Sequence, residues 1–248
     1  EAGLGRLITR IEKAGARASD MSFGALPNHT DLEEVVTTQT LFPVSVVGSW
    51  ARPPWLIDAL RRWQAGEITK QEFDLIADEA VLLAIKYQED AGVDIITDGE
   101  QRRDNFYSFV VAKLSGMKLM KVSELMDYMK DRARFEETLR ALDVPAFAIK
   151  SPIVVDKLGP RDGLSLDEAD FLAGHTNRQV KVPLPGPYLL LRSSWFEGLS
   201  DDAYPTEEEL AQDIVKVLRD EVLALKAQGV DFVQFDEPTL SQVVLGEE

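Results

Sequence analysis

Two short acidic segments and one Gly-Ser turn carry the residue types most suited to chemistry in this 248-residue chain. Glu100 ends a DGE segment that follows an apolar run, and Asp236 begins a DEP segment that follows another. Gly48 and Ser49 lie near the end of a third apolar run, LFPVSVVGSW. These residues are candidates for a site. The alternatives are that the acidic residues only solvate strand ends and that the Ser49 hydroxyl bonds its own backbone.

Two copies of one helix–strand pattern position the acidic segments. Thr69 with Glu72, and Thr206 with Glu209, form capping-box patterns that predict the starts of two long helices. Each helix has apolar residues at three- and four-residue spacing, ends at a glycine and leads into a short apolar strand. The joined ends read AGVDIITDGE and QGVDFVQFDEP. Apolar strands that alternate with amphipathic helices predict a parallel α/β fold, in which ligands bind at the C-terminal ends of the strands.

The number of predicted strands limits the choice of fold. Strands are predicted at residues 42–49, 93–97, 180–184 and 231–235, the first of them buried. A (β/α)8 TIM barrel requires eight strands, so the sequence predicts either a smaller open sheet or the first half of a barrel. We assign residues 1–40 to an N-terminal extension and residues 41–248 to the β/α barrel portion. The other predicted elements are a helical excursion at 105–150 with helices over 105–114 and 122–142, a strand over 153–157, and a short helix opened by a Ser165–Glu168 capping box.

The composition excludes several classes of function. The chain carries 27 Lys and Arg residues against 43 Asp and Glu residues, and this net charge of −16 argues against nucleic-acid partners. It has no cysteine, which excludes disulfides, thiol catalysis and cysteine-ligated metals within these residues. No apolar run approaches the roughly 20 residues that a membrane span requires. We expect a cytoplasmic protein that binds small molecules.

Three segments, in matching order along the chain, resemble the catalytic domain of the cobalamin-independent methionine synthase family. VVGSWARP at 46–53 is similar to the family's IGS(F/Y)PR segment, TDGEQRRDN at 97–105 to its GE-x-x-R-x-D segment, and VQFDEPTL at 233–240 to its IQIDEPAL segment. PGP at 185–187 resembles the GP that ends a family strand. The resemblance spans Leu41–Leu240 and is closest to the short, single-barrel branch.

The resemblance implies a TIM-barrel methyltransferase that passes a methyl group from a methylfolate, or a methylcorrinoid, to the thiol of homocysteine. In the family, the Gly-Ser turn binds the carboxylate of the amino acid, and two strand-end acids bind its ammonium group. Carried over by position, Gly48 and Ser49 bind the carboxylate, while Glu100 and Asp236 bind the ammonium group. An amino-acid ligand needs donors at one end and carboxylates at the other, in agreement with this arrangement.

Three further residues are candidates for binding the methyl donor. Arg102 and Arg103 could pair with a glutamate tail of folate, and Trp195 could stack on its pterin. The alternatives are a charge cluster, solvated or paired with Asp104, for the two arginines and a core position for the tryptophan.

The resemblance also implies zinc, held by His-x-Cys, Glu and a second Cys, which makes the homocysteine thiol a thiolate at neutral pH. The chain has no Cys, and its two histidines have no partner at metal-ligand spacing, so we expect no metal ligand in this chain. It is then a piece of a longer protein, one of two chains that complete a barrel, or an inactive relative. We favour the first, because half a barrel leaves two parallel strand edges unpaired. A second chain or a C-terminal half is the expected partner.

Two other functions stay open. The resemblance extends to thiol alkyltransferases that join coenzyme M to epoxides, whose sulfonate-bearing thiol needs cationic groups where homocysteine needs acids. The presence of Glu100 and Asp236 favours homocysteine. The remaining hypothesis is a non-catalytic half-barrel module that binds an amino acid or a partner chain.

Overall fold

A computed structural model describes residues 41–125, 128, 150–160, 163–238 and 240. Its helices are α1 (Pro54–Gln64), α2 (Lys70–Asp90), α3 (Val110–Lys113), α4 (Val122–Leu125), α5 (Leu166–Ala173), α6 (Pro187–Ser194) and α7 (Glu207–Ala227). Its strands are β1 (Ile95–Ile96), β2 (Leu114–Lys121), β3 (Lys150–Pro160), β4 (Gln179–Pro185) and β5 (Phe232–Asp236). The N-terminal extension predicted at 1–40 lies outside the described residues, as does most of the helix predicted at 122–142.

A three-stranded parallel sheet in the order β1–β4–β5 carries the acidic segments at its C-terminal edge. β4 pairs with β1 at Gln179 and Val180, and with β5 along Lys181–Pro185. The predicted parallel α/β architecture is therefore confirmed. The strands do not close into a barrel within the part of the chain that the structure describes.

The prediction of a buried strand at 42–49 is wrong. Ser45 forms a single parallel bridge to Ile95, and the Asp94 carboxylate accepts a hydrogen bond from the Val44 amide at 2.8 Å. Val44 and Val47 are 55% and 79% exposed. Among the described residues this segment has a strand beside it on one side only. A β-branched run of the kind that is buried in the middle of a parallel sheet therefore stays exposed.

The two long helices begin and end where the sequence predicts. The Thr69 hydroxyl accepts a hydrogen bond from the Glu72 amide at 3.2 Å, and the Glu72 carboxylate accepts one from the Thr69 amide at 2.8 Å. The Thr206 hydroxyl accepts a hydrogen bond from the Glu209 amide at 3.2 Å and so caps α7. Gly92 and Gly229 follow the helices with φ of 77° and 88°, the left-handed conformation that ends a helix. No helix in the described ranges is long and apolar enough to cross a membrane.

One face of the parallel sheet carries apolar side chains that pack against the helices, and the other face carries polar side chains. On β4, Val180 packs with α2 and Val182 packs with α7 in the buried core. Because side chains alternate along a strand, Lys181 lies on the opposite face, as do Gln234 and Asp236 on β5. The face away from the helices therefore carries the polar side chains that lead to the candidate site.

The prediction of a helical excursion is wrong between Leu114 and Lys121. Of the helix predicted at 105–114, α3 covers Val110–Lys113, and β2 follows it at once to pair antiparallel with β3 as a two-stranded sheet. The strand predicted at 153–157 is confirmed and extends over Lys150–Pro160. The sequence LSGMKLMK of β2 does not alternate strictly between apolar and polar residues, because Leu119 and Met120 are adjacent, so its pattern does not indicate a strand.

The capping box predicted at Ser165 and Glu168 does not form, although α5 begins at the expected place. Both side chains instead bind the guanidinium group of Arg103. A charged partner makes a stronger hydrogen bond than a helix-end amide, so the buried arginine takes these acceptors.

Candidate functional site

Four residues predicted from the sequence, Gly48, Ser49, Glu100 and Asp236, line one cleft at the C-terminal edge of the parallel sheet. The cleft has a volume of about 440 Å³. Its other lining residues are Val47, Phe106, Glu237 and Pro238. The structure thus brings together the turn after the first segment and the acids that follow β1 and end β5.

Glu100 lies at the base of this cleft, with 1% of its surface exposed. Its Oε2 accepts a hydrogen bond from the Ser49 hydroxyl at 2.8 Å, so the turn serine bonds the acid rather than its own backbone. A Cβ atom on Gly48 would lie 2.4 Å from Glu100 Oε1. Glycine is therefore required at 48 for the carboxylate to sit against the turn.

The Glu100 backbone adopts φ of 53°, a left-handed conformation that few residues other than glycine adopt. The Asp98 carboxylate accepts a hydrogen bond from the Glu100 amide at 2.9 Å. Arg52 donates to the carbonyls of Glu100 and Arg103 at 3.0 and 2.7 Å. These contacts hold a strained backbone in place, a feature that clusters at functional sites.

Asp236 and Glu237 have different surroundings although they are adjacent. Asp236 is half-buried, and its Oδ1 accepts a hydrogen bond from Gln234 at 2.7 Å. The Glu237 carboxylate accepts hydrogen bonds from the amides of Tyr188 and Leu189 at 2.7 and 2.8 Å, so it caps the N-terminus of α6. Asp236 is therefore the better placed of the two to bind a ligand in the cleft.

Arg103 is buried outside the cleft, where it ties three elements together. It donates to Glu168 of α5 at 2.7 Å and to the Pro183 carbonyl of β4 at 2.9 Å, and it lies over the Phe109 ring. Burial acts to lower the pKa of Arg103, but the neighbouring carboxylates, Glu168 first, outweigh it and raise the pKa above its ordinary value. Arg103 is a permanent buried cation, not a member of a solvated charge cluster.

Arg102 and Trp195 also lie away from the cleft of Glu100. Arg102 pairs with Asp78 and stacks on the Phe171 ring at 4.3 Å. The Trp195 indole donates to the Tyr204 carbonyl at 3.4 Å and packs against the core. Arg102 and Arg103 line a second cavity of about 290 Å³. Binding of a methyl donor by these three residues remains a prediction.

The sequence analysis missed several residues that hold the cleft together. Asp98, Arg52 and Glu237 fix the backbone around it, and Lys181 and Gln234 lie beneath it. Gln234 carried a usable signal, since it lies two residues before Asp236 on a strand and must share its face. Lys181 also carried a usable signal, because it is a charged residue in an otherwise apolar strand.

A comparison with protein families decides the relationship. The model of the family described as "Cobalamin-independent synthase, Catalytic domain" matches residues 42–248, most of the chain. The chain belongs to the cobalamin-independent methionine synthase catalytic-domain family. The match includes the Gly-Ser turn and both acidic segments of the cleft.

Individual members of this family match at lower identity. The methionine synthases of Sulfolobus acidocaldarius and Thermococcus kodakarensis are each 29% identical to the chain, over 81% of it and 53% of their own length. The chain therefore spans about half the length of the curated relatives it matches.

Two solved structures of methionine synthases resemble the chain. A B12-independent methionine synthase from Shewanella sp. W3-18-1, in complex with selenomethionine, superposes with a TM-score of 0.58 and 26% identity over 80% of this chain and 52% of that one. A second, a putative enzyme from Listeria monocytogenes, gives 0.60 and 21% identity over 85% and 56%, and supports the fold alone.

Zinc, which the methionine synthase family uses, does not fit the residues that the structure describes. The sequence has no cysteine. Across the described ranges, no group of three or more His, Asp or Glu side chains is arranged to hold a metal ion. His175 is exposed, and its Nδ1 lies 2.7 Å from the Phe171 carbonyl. No step of the chemistry is therefore assigned to a metal on these residues.

Proposed function

We propose that the chain binds the amino-acid end of homocysteine in a protein that transfers a methyl group to the homocysteine thiol. The observation that carries the proposal is the position of Glu100 and Asp236 on one cleft together with the backbone of Gly48 and Ser49. An α-amino acid presents an ammonium group beside a carboxylate. The two acids bind the ammonium group, and the turn supplies backbone N–H donors to the carboxylate, since the single Ser49 hydroxyl proton is already donated to Glu100.

The charge of the cleft supports an amino acid over a sulfonate-bearing thiol. None of the described residues that line it is Lys or Arg, and three are acidic. One of these, Glu237, is engaged as a helix cap, which leaves Glu100 and Asp236 for the ligand. A sulfonate placed beside two carboxylates would be repelled, so coenzyme M is a poor match for this cleft.

The related Shewanella structure supports the same ligand class, because it contains selenomethionine, the selenium analogue of the methylated product. The chain spans about half of such relatives, and its parallel sheet matches part of their catalytic domain. We propose accordingly that this sheet is the first half of a (β/α)8 barrel.

The proposed reaction exchanges a methyl group and a proton between the homocysteine sulfur and the donor. The homocysteine sulfur attacks the methyl carbon, the bond from that carbon to the donor breaks, and the thiol proton is passed to the departing methylfolate nitrogen. The residues of this chain hold the amino-acid end and so orient the sulfur toward the donor. The methylcorrinoid donor would require the same orientation. Neither thiol activation nor donor binding is assigned to the cleft residues.

Titration calorimetry with L-homocysteine tests the proposal. Glu100→Gln and Asp236→Asn keep the side-chain shape but remove a charge, and each is expected to weaken binding by at least about tenfold, the loss of one charge-assisted hydrogen bond. Glu208→Gln, on the exposed face of α7, is the matched control and should bind as the unchanged chain does.

4-Mercaptobutyrate, which is homocysteine without its amino group, distinguishes binding of the ammonium group from binding of the carboxylate. It should bind weakly to the unchanged chain, and Glu100→Gln should not weaken it further. Equal homocysteine affinity in the unchanged chain and in both acidic variants would contradict the assignment of the cleft.

A further inference from the structure

A buried lysine, Lys181, lies in the middle of the parallel sheet. It is 7% exposed, and its neighbours Val180 and Val182 face the helical core. Lys181 must therefore project from the opposite face of β4. A cation buried in a sheet is costly unless it is fully hydrogen-bonded, so its partners show what it is there to hold.

The Lys181 ammonium group has three acceptors for its three protons. It donates to the carbonyls of Val46 and Val47, the second at 3.3 Å, and to Gln234 Oε1 at 2.9 Å. The two carbonyls belong to the backbone that leads directly into Gly48 and Ser49. The lysine is therefore fixed to the turn that forms one side of the cleft.

Gln234 extends this network to the other side of the cleft. Its Nε2 donates to the Val47 carbonyl and to Asp236 Oδ1, both at 2.7 Å. Its Oε1 accepts from Lys181, so both ends of the amide are engaged. The turn and the Asp236 carboxylate are thus joined through two side chains that do not themselves line the cleft.

The spacing between strands shows that the sheet must be curved for this link to form. The segment at Ser45 is followed across the sheet by β1, β4 and β5, and neighbouring strands lie about 4.8 Å apart. Three such steps would separate the turn from β5 by roughly 14 Å in a flat sheet. The direct contact between Gln234 and Val47 requires a sheet curved toward its polar face, with Lys181 lying in the concavity.

Lys181 and Asp236 also interact electrostatically. Burial lowers the pKa of Lys181, and the neighbouring Asp236 carboxylate opposes that effect. The protonated form, which makes all three hydrogen bonds, is therefore favoured by the acid that it helps to place.

We propose that Lys181 is a positioning residue, which fixes the separation between the Gly48–Ser49 turn and the Asp236 carboxylate and thereby the size of the ligand head group that fits between them. The ligand in this statement, an α-amino acid, rests on the proposed function. The link between turn, lysine and acid does not, and it can be measured without any ligand.

Heteronuclear NMR on the full chain tests the link directly. Lys181→Met keeps the length of the side chain and removes the ammonium group. The amide signals of Gly48 and Ser49 should shift and exchange faster with solvent, whereas Lys216→Met, on the exposed face of α7, should leave them unchanged. Turn signals that stay in place in Lys181→Met would overturn the proposal.

A second readout separates this link from a merely structural role. The pKa of Lys181, followed by NMR of its side chain, should fall in Asp236→Asn, because the carboxylate that raises it is removed. An unchanged pKa of Lys181 in that variant would show that lysine and acid are not coupled.

The effect of Lys181 on ligand binding is measured with L-homocysteine. Lys181→Met should weaken its binding by about tenfold, the effect of one misplaced charge-assisted hydrogen bond, with Lys216→Met unchanged. Shifted turn signals with unchanged affinity would overturn the positioning role. If the unchanged chain does not bind homocysteine, the proposed function fails, and the Lys181 link is judged by the two NMR readouts alone.

If Lys181→Met does not yield folded protein, the NMR and calorimetry measurements are made on Gln234→Met instead. It removes the amide that joins the turn to Asp236 and leaves the buried cation its two backbone acceptors. The same shift of the turn signals and the same loss of affinity are expected, and their absence contradicts the proposal.

Discussion

At the scale of single residues, the cleft depends on close contacts that permit little change. Ser49 and Glu100 are hydrogen-bonded across two loops, and Gly48 is the residue that lets the carboxylate approach. The unusual backbone of Glu100 is held by Asp98 and Arg52. The carboxylate is therefore in position before any ligand arrives, which lowers the cost of binding.

Substitution of Gly48 should test this contact. Gly48→Ala places a Cβ 2.4 Å from Glu100 Oε1, so the carboxylate must move away from the turn. Homocysteine affinity should fall by about tenfold as a charge-assisted hydrogen bond is lost. Gly174→Ala, whose added Cβ has no contact under 3.5 Å, is the control for calorimetry. Unchanged affinity in Gly48→Ala would show that the carboxylate position is not what the ligand requires.

The sequence was sufficient to choose Gly48, Ser49, Glu100 and Asp236, because their residue types follow apolar runs whose ends must meet in a parallel sheet. It was insufficient for Asp98 and Arg52, whose roles depend on the backbone angles of a neighbouring residue. Lys181 could be noted as a charged residue in an apolar strand, but its partners could not be predicted, because hydrogen bonds to the carbonyls of a segment remote in sequence leave no pattern in residue spacing.

At the scale of elements, capping and core residues decide where the helices lie. The starts of α2 and α7 could be predicted because capping boxes act locally, between residues three apart. The hairpin of β2 and β3 could not, since a strand of mixed polarity gains its stability from a partner remote in sequence. The box at Ser165 failed for the same reason, as Arg103 reaches it from another loop.

Tyr204 joins two of these elements and predicts a pH dependence. Its hydroxyl donates to Asp213 of α7 at 2.7 Å and accepts from the Leu158 amide of β3 at 2.8 Å. Burial first, with the nearby Asp213 carboxylate adding to it, raises the pKa of Tyr204 to about 12. The folded state thus holds the phenol proton to higher pH than the unfolded chain does. This stabilisation is full below pH about 10 and is lost as the pH rises toward 12.

Urea unfolding between pH 9 and 12 measures this effect. The unfolding midpoint of the unchanged chain should fall more steeply with pH than that of Tyr204→Phe, which has no phenol to ionise. Parallel pH profiles for the two proteins would show that Tyr204 ionises equally in both states.

At the scale of the whole molecule, the candidate site lies on the polar face of a curved parallel sheet. The helices cover one face, and the polar network of Lys181 and Gln234 fills the other beneath the cleft. The sequence predicted that the strands run parallel, and the barrel half that it predicted implies a curved sheet. It did not predict which side chains meet across three strand spacings. The net charge of −16 includes Glu100, Asp236 and Glu237, the three acids that line the cleft.

Crystals of the protein soaked with L-selenomethionine, with diffraction recorded at the selenium absorption edge, test the central claim most directly. We expect a selenium peak at the cleft, with the ligand nitrogen within hydrogen-bond distance of both Glu100 and Asp236 and its carboxylate at Gly48 and Ser49. A peak elsewhere on the protein, or a ligand whose carboxylate points toward the two acids, would contradict it.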